Sequence, residues 1–149
     1  LYNEPCNKLV GEFIGSPQMN CILATLKKEG NDIYACFGKD KIKIPEGKAK
    51  NPALAPYLGK EVYIGIRPEN IHDDQMFLSA NPDAVCSAFV EVTEMMGSET
   101  YLYLTIAGTQ FTARVNQRST AKINDTIKVG FETQKLHIFD KDTEVTILN

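Results

Sequence analysis

Two histidines, four cysteines and a scatter of carboxylates are the side chains of this sequence that could do chemistry. A zinc centre needs three or four nitrogen, sulfur or carboxylate ligands, usually announced by short spacings. His72 and His137 have neither a cysteine nor a second histidine at such a spacing. Asp73-Asp74 and Glu61 match no metal-binding loop. A nucleophilic triad would need a serine or cysteine brought to one of these histidines and a carboxylate, and nothing local supplies it. His72 reads as a surface residue, and His137, in a strand-like run, as a half-buried packing residue. A phosphate loop requires G-x-x-x-x-G-K-[ST] opening a helix. Gly47-Lys48 is followed by Ala49 and lacks the first glycine, so it is not one. No residue is assigned a catalytic, cofactor-binding or metal-binding role. Cys6, Cys21, Cys36 and Cys86 form no C-x-x-C pair, and reduced thiols are expected.

What remains is polar rather than catalytic. Arg67-Pro68-Glu69 ends the run from Val62, where Val62, Ile64 and Ile66 alternate with Tyr63, Gly65 and Arg67. That is the period of a half-buried strand. Pro68 donates no ladder hydrogen bond, so the strand stops there. The charges of Arg67 and Glu69 flank a rigid corner. They either form a structural ion pair or backbone hydrogen bonds at that corner, or make a regulatory or ligand contact. Gly97-Ser98-Glu99 follows another strand, as a tight turn or as part of an interface. Lys39, Lys41, Lys43, Lys48 and Lys50 are the one basic concentration. They read as a solvated strand edge that blocks edge-to-edge pairing, or as a surface for an acidic partner. A net charge of −3 and the absence of tryptophan argue against a nucleic-acid partner.

The elements that must position these groups are mostly strands. A short helix is expected from an N-cap at Asn7, with Leu9, Val10, Phe13 and Ile14 on one face and Gly15 and Pro17 ending it. Residues 21–27 and 33–37 form a hairpin around Gly30-Asn31. Strands follow at 41–44, 62–67, 85–95, 101–106, 110–115, 127–131, 136–139 and 145–148, with a helical turn near 53–58 and a short strand beginning at Phe77-Leu78. Many short strands with regular turns predict a mainly β fold. The expected architecture is tandem small antiparallel OB-like barrels, one from each half of the 149 residues, after a short N-terminal helix. No internal repeat is evident, and no apolar run reaches the length of about 20 residues that spans a membrane.

Four stretches together resemble the C-terminal regulatory domain of ATP-binding subunits of sugar ABC importers, of the maltose and multiple-sugar type. They are Ile14-Gly15-Ser16-Pro17-Gln18-Met19-Asn20, Gly65-Ile66-Arg67-Pro68-Glu69, Glu94-Met95-Met96-Gly97-Ser98-Glu99 and Leu136-His137-Ile138-Phe139-Asp140. Their order and spacing carry the match. The chain departs from the family at Leu9, Gly11 and Asn124-Asp125. The resemblance implies a linker helix over 1–17, leaving a nucleotide-binding domain that is not here, and a regulatory domain over 18–149. It implies a non-catalytic fragment without cofactor, ATP and magnesium belonging only to the absent domain. It also implies a second copy of the subunit as partner, membrane permease subunits reached through the absent domain, and a regulatory protein. The whole subunit would sit at the cytoplasmic face of the membrane. The alternative is a free-standing OB-like module for a small anion or oligosaccharide, for which the sequence offers Arg67, Arg114 and Arg118.

Overall fold

Alternating burial runs through the first strand: Ile22, Ala24 and Leu26 are buried, while Cys21, Leu23 and Thr25 between them are half-buried. This is one face of a pleated strand laid on a core. A computed structural model describes residues 19–149. The expected N-terminal helix and the 1–17 linker lie outside the described residues. The described strands are β1 (Asn20–Glu29), β2 (Asp32–Phe37), β3 (Asp40–Lys43), β4 (Glu61–Ile66), β5 (Ile71–His72), β6 (Val85–Met96), β7 (Glu99–Ile106), β8 (Thr109–Asn116), β9 (Thr126–Phe131), β10 (His137–Asp140) and β11 (Thr146–Leu148). They form two antiparallel sheets, in the orders β11-β10-β4-β1-β2-β3 and β5-β9-β6-β7-β8. The fold is mainly β, with two OB-like units in tandem.

The two sheets repeat one plan. In the first, β1 pairs with β4 from Asn20 to Thr25 and with β2 from Thr25 to Glu29. In the second, β6 pairs with β9 from Val85 to Phe89 and with β7 from Phe89 to Met96. A long strand that passes from one neighbour to the next bends the sheet into a barrel. The orders β4-β1-β2-β3 and β9-β6-β7-β8 are therefore equivalent.

The fifth strands are exchanged. β5 follows β4 in sequence but pairs with β9, while β10 follows β9 and pairs with β4. The expectation of one barrel from each half of the chain is thus corrected: each sheet is finished by a strand from the other half. Val62-Tyr63-Ile64-Gly65-Ile66 and Ile127-Lys128-Val129-Gly130-Phe131 are the equivalent runs, and each leads into a 3-10 turn, at Pro68–Asn70 and Thr133–Lys135. Periodicity identifies strands but not their partners, so a repeat built on so few shared residues is faint in the sequence.

One hydrophobic core runs through both sheets. Phe131 of β9 stacks with Phe37 of β2 at 6.4 Å and with Phe111 of β8 at 5.9 Å, so an aromatic row crosses from one sheet to the other. Both equivalent glycines are sites of close approach. A Cβ on Gly65 would meet Met19 Sδ at 2.6 Å and Phe139 Cε2 at 2.8 Å, and one on Gly130 would meet Phe77 Cε1 at 2.7 Å.

Three local expectations are corrected. Phe77 and Leu78 lie in a helix, Gln75–Ala80, because the Asp74 side chain accepts from the Phe77 N–H and caps it. Cys21 is disulfide-bonded, whereas Cys36 and Cys86 are thiols as expected. His72 is half-buried rather than a surface residue: it stacks on Phe77 at 4.2 Å and contacts the Glu132 carboxylate.

Candidate functional site

The exchange of fifth strands forces two chain crossovers to run side by side. Residues 67–70 carry the chain from the first sheet to the second, and residues 132–136 carry it back. The Glu132 N–H donates to the Asn70 carbonyl at 2.9 Å and ties one crossover to the other. Two rigid turns, one of them opened by Pro68, hold polar side chains between the barrels.

A cleft of about 410 Å³ opens over these crossovers. Arg67, Glu69 and Asn70 line it from the first crossover, and Gln134 and Lys135 from the second. Lys48, His137 and Asn149 complete the wall. Lys48 lies in the last turn of the short helix Glu46–Ala49. His137 is held by a 2.9 Å hydrogen bond between Nδ1 and Asn149 Oδ1, and its ring stacks on Phe139 at 6.1 Å. It is half-buried in β10, as the sequence suggested.

The electrostatics of the cleft are one-sided. Lys48, Arg67 and Lys135 face one carboxylate, Glu69. The ion pairs that lysines and arginines make among the described residues are elsewhere: Lys41–Glu29, Lys43–Asp32, Lys50–Glu46, Arg114–Glu99 and Lys141–Glu61. Arg67 and Glu69 therefore do not pair with each other. Burial pushes the Lys48 ammonium pKa down from its ordinary value.

The other polar motif meets the first through Arg114. Glu99 begins β7 opposite the end of β8, and its Oε2 lies 3.2 Å from Arg114 Nε. The contact is an ion pair without hydrogen-bond geometry, since the Nε–H finds no aligned acceptor. Hydrogen bonding with Tyr101, then the charges of Glu99 and Glu69, raise the Arg114 pKa above its ordinary value against an opposing effect of burial. Glu69 and Glu99, far apart in sequence, thus act on one guanidinium. Gly97 and Ser98 do not join them. They form the exposed tip of the β6–β7 hairpin, where Gly97 has φ 66. Exposed Met95 and Met96 lie beside that tip.

A third contact joins the barrels. Asn20, 7% exposed, donates from Nδ2 to the Thr112 carbonyl and accepts the Thr112 N–H at Oδ1, both at 2.8 Å. Its side-chain amide continues the ladder on the free edge of β8 and leaves that edge capped. Sequence reasoning placed Arg67, Pro68 and Glu69 at a corner and missed Lys135 and Asn149, which only the crossover brings near. It also placed Lys48 with the edge lysines. Lys41 and Lys43 do lie on the outer strand β3, paired with Glu29 and Asp32. Among the described residues no cluster of His, Cys, Asp and Glu could hold a metal ion, and no helix is long and apolar enough to cross a membrane.

These features have counterparts in known proteins. Residues 15–71 match the MalK OB fold domain, and residues 64–139, just over half of the chain, match the TOBE domain. The two matches overlap on β4 and the first crossover. The oligosaccharides import ATP-binding protein MsmX of Bacillus subtilis (strain 168) is 38% identical over 147 residues, 99% of this chain and 39% of that protein. The multiple sugar-binding transport ATP-binding protein MsmK of Streptococcus mutans is 39% identical over 149 residues, 99% of this chain and 38% of that protein. The trehalose/maltose import ATP-binding protein MalK of Thermococcus litoralis is 33% identical over 144 residues. The chain spans under two-fifths of the length of these relatives. In fold alone it is like the cytoplasmic molybdate-binding protein ModG, with a TM-score of 0.56 at 15% identity, covering 85% of this chain and 97% of that one. The chain belongs to the TOBE domain family, preceded and overlapped by a MalK-type OB fold, as found in ATP-binding subunits of sugar ABC importers.

Proposed function

We propose that this chain is the non-catalytic regulatory and dimerisation domain of the ATP-binding subunit of a carbohydrate ABC importer. One observation carries the reading: nearly the whole chain aligns at 33–39% identity with part of proteins named as sugar-import ATP-binding proteins. In this reading ATP and magnesium bind a domain outside these 149 residues, and that domain's hydrolysis of ATP drives sugar uptake. The partners are a second copy of the subunit, permease subunits engaged through the other domain, and a regulatory protein that docks on this one. No nucleic acid is involved, and the assembly sits at the cytoplasmic face of the membrane.

The paired crossovers support this role physically. A signal received at one barrel reaches the other through the Glu132–Asn70 bond and the Phe37–Phe131–Phe111 row without loosening either. A free-standing binding module is not favoured by the likeness to ModG, which at 15% identity is one of fold alone. The test is to delete residues 20–149 from the complete subunit and measure sedimentation and sugar uptake. Retained nucleotide hydrolysis, with weakened dimerisation and lost uptake, is the expected result. Full dimerisation and regulated uptake without this domain would refute it.

A further inference from the structure

We propose that the cleft between the two crossovers binds a phosphorylated sugar. Lys48, Arg67 and Lys135 hold the phosphoryl group, and the amides of Asn70, Gln134 and Asn149 read the hydroxyls together with Glu69.

The placement of charge is the first argument. The chain carries a net charge of −3, yet this cleft gathers three cations against one carboxylate, and none of the three has an ion-pair partner among the described residues. Elsewhere Lys41, Lys43, Lys50, Arg114 and Lys141 are neutralised by Asp or Glu, and others such as Lys27 and Lys28 stand unpaired among the described residues, so it is the gathering of three in one cleft that marks this place. An unpaired guanidinium and two ammonium groups lining one cleft suit a doubly charged group that accepts several charge-assisted hydrogen bonds at once. The partial burial of Lys48 points the same way, since an anion would offset its lost hydration. Ring hydroxyls both donate and accept, as side-chain amides do, and Glu69 adds a strong acceptor. A volume of about 410 Å³ lies within the usual range of small-molecule sites, roughly 300–1,000 Å³. The choice of a sugar ester rests on the proposed role in sugar import; recognition of the phosphoryl group does not.

Bound there, the ligand touches both crossovers, Arg67 on the outgoing chain and Lys135 on the returning one. It would brace the junction of the two barrels, which is where a regulatory metabolite has most purchase.

The test is calorimetric titration of the 149-residue chain at fixed ionic strength with inorganic phosphate, glucose 6-phosphate and glucose. NMR amide shifts locate the site. Saturable binding of phosphate, tighter binding of glucose 6-phosphate, and shifts confined to residues 48, 67–70, 132–137 and 149 are expected. Arg67→Gln combined with Lys135→Gln should weaken both ligands by about tenfold or more. Removing two charges outside the cleft, with Lys27→Gln and Lys28→Gln, should leave affinity unchanged. All four substituted residues are exposed, and an unaltered melting temperature confirms folding. Equal affinity for phosphate and glucose 6-phosphate would overturn the sugar assignment while the phosphoryl site stands. Absence of saturable phosphate binding, equal losses in both double variants, or binding of glucose alone would overturn the whole proposal. None of these outcomes bears on whether deletion of the domain abolishes uptake, so the two readings fail separately.

Discussion

Gly65 has no room for a side chain. Its hypothetical Cβ meets Met19 on one side and the fully buried ring of Phe139 on the other. Those residues come from three separate motifs of the sequence, so this glycine is where the motifs converge in space. A methionine can swing aside, but a packed phenylalanine cannot do so without disturbing the core. Gly65→Val is expected to destabilise the chain by about 1–3 kcal/mol in chemical denaturation. An unchanged midpoint would show that the contact is looser than described. The Arg114–Glu99 pair is a different case. With the two side chains 31% and 48% exposed, it is screened by solvent, and Glu99→Gln should change stability by less than about 1 kcal/mol. A larger loss in the same denaturation experiment would mean that Arg114 is a structural keystone rather than a surface-tuned charge.

The strands themselves were easy to find from the sequence, because alternating burial leaves a period of two in residues such as Leu102, Leu104 and Ile106. Three features were not. β5 is only two residues long, too short to show any period. The Gln75–Ala80 helix is set by the Asp74 cap more than by an apolar stripe. The exchange of β5 and β10 is a matter of pairing, which local patterns do not encode. The same limit hid half of the cleft: Arg67 and Glu69 stood out beside Pro68, whereas Lys135 gained meaning only when the second crossover was laid against the first. The exchange has a consequence that can be measured. The first sheet loses its β10 and β11 edge if the chain ends at residue 131, exposing the backbone of β4 beside Val62 and Ile64. A chain of residues 1–131 should therefore lose the dispersed amide spectrum of the first barrel, although every strand of its β1–β4 core is present. A native-like spectrum for that shortened chain would show that the exchanged strand is dispensable.

At the scale of the molecule, two barrels share one core, so they should not unfold separately. Phe131 sits at the centre of the aromatic row that joins them. Phe131→Ala is expected to cost about 3–5 kcal/mol and to lower the stability of both sheets together, with circular dichroism and amide exchange reporting a single transition. Two separated transitions would mean that the barrels are independent modules. One body of this kind, built on a shared core, is suited to receiving and passing on contacts. It is equally marked by what the full sequence lacks, a phosphate loop. The central claim is that nucleotide chemistry belongs to another part of the same subunit. Calorimetric titration with Mg-ATP of this chain and of the complete subunit tests it directly. The account predicts stoichiometric binding by the complete subunit and none by residues 1–149; stoichiometric binding of ATP by this chain alone would contradict it.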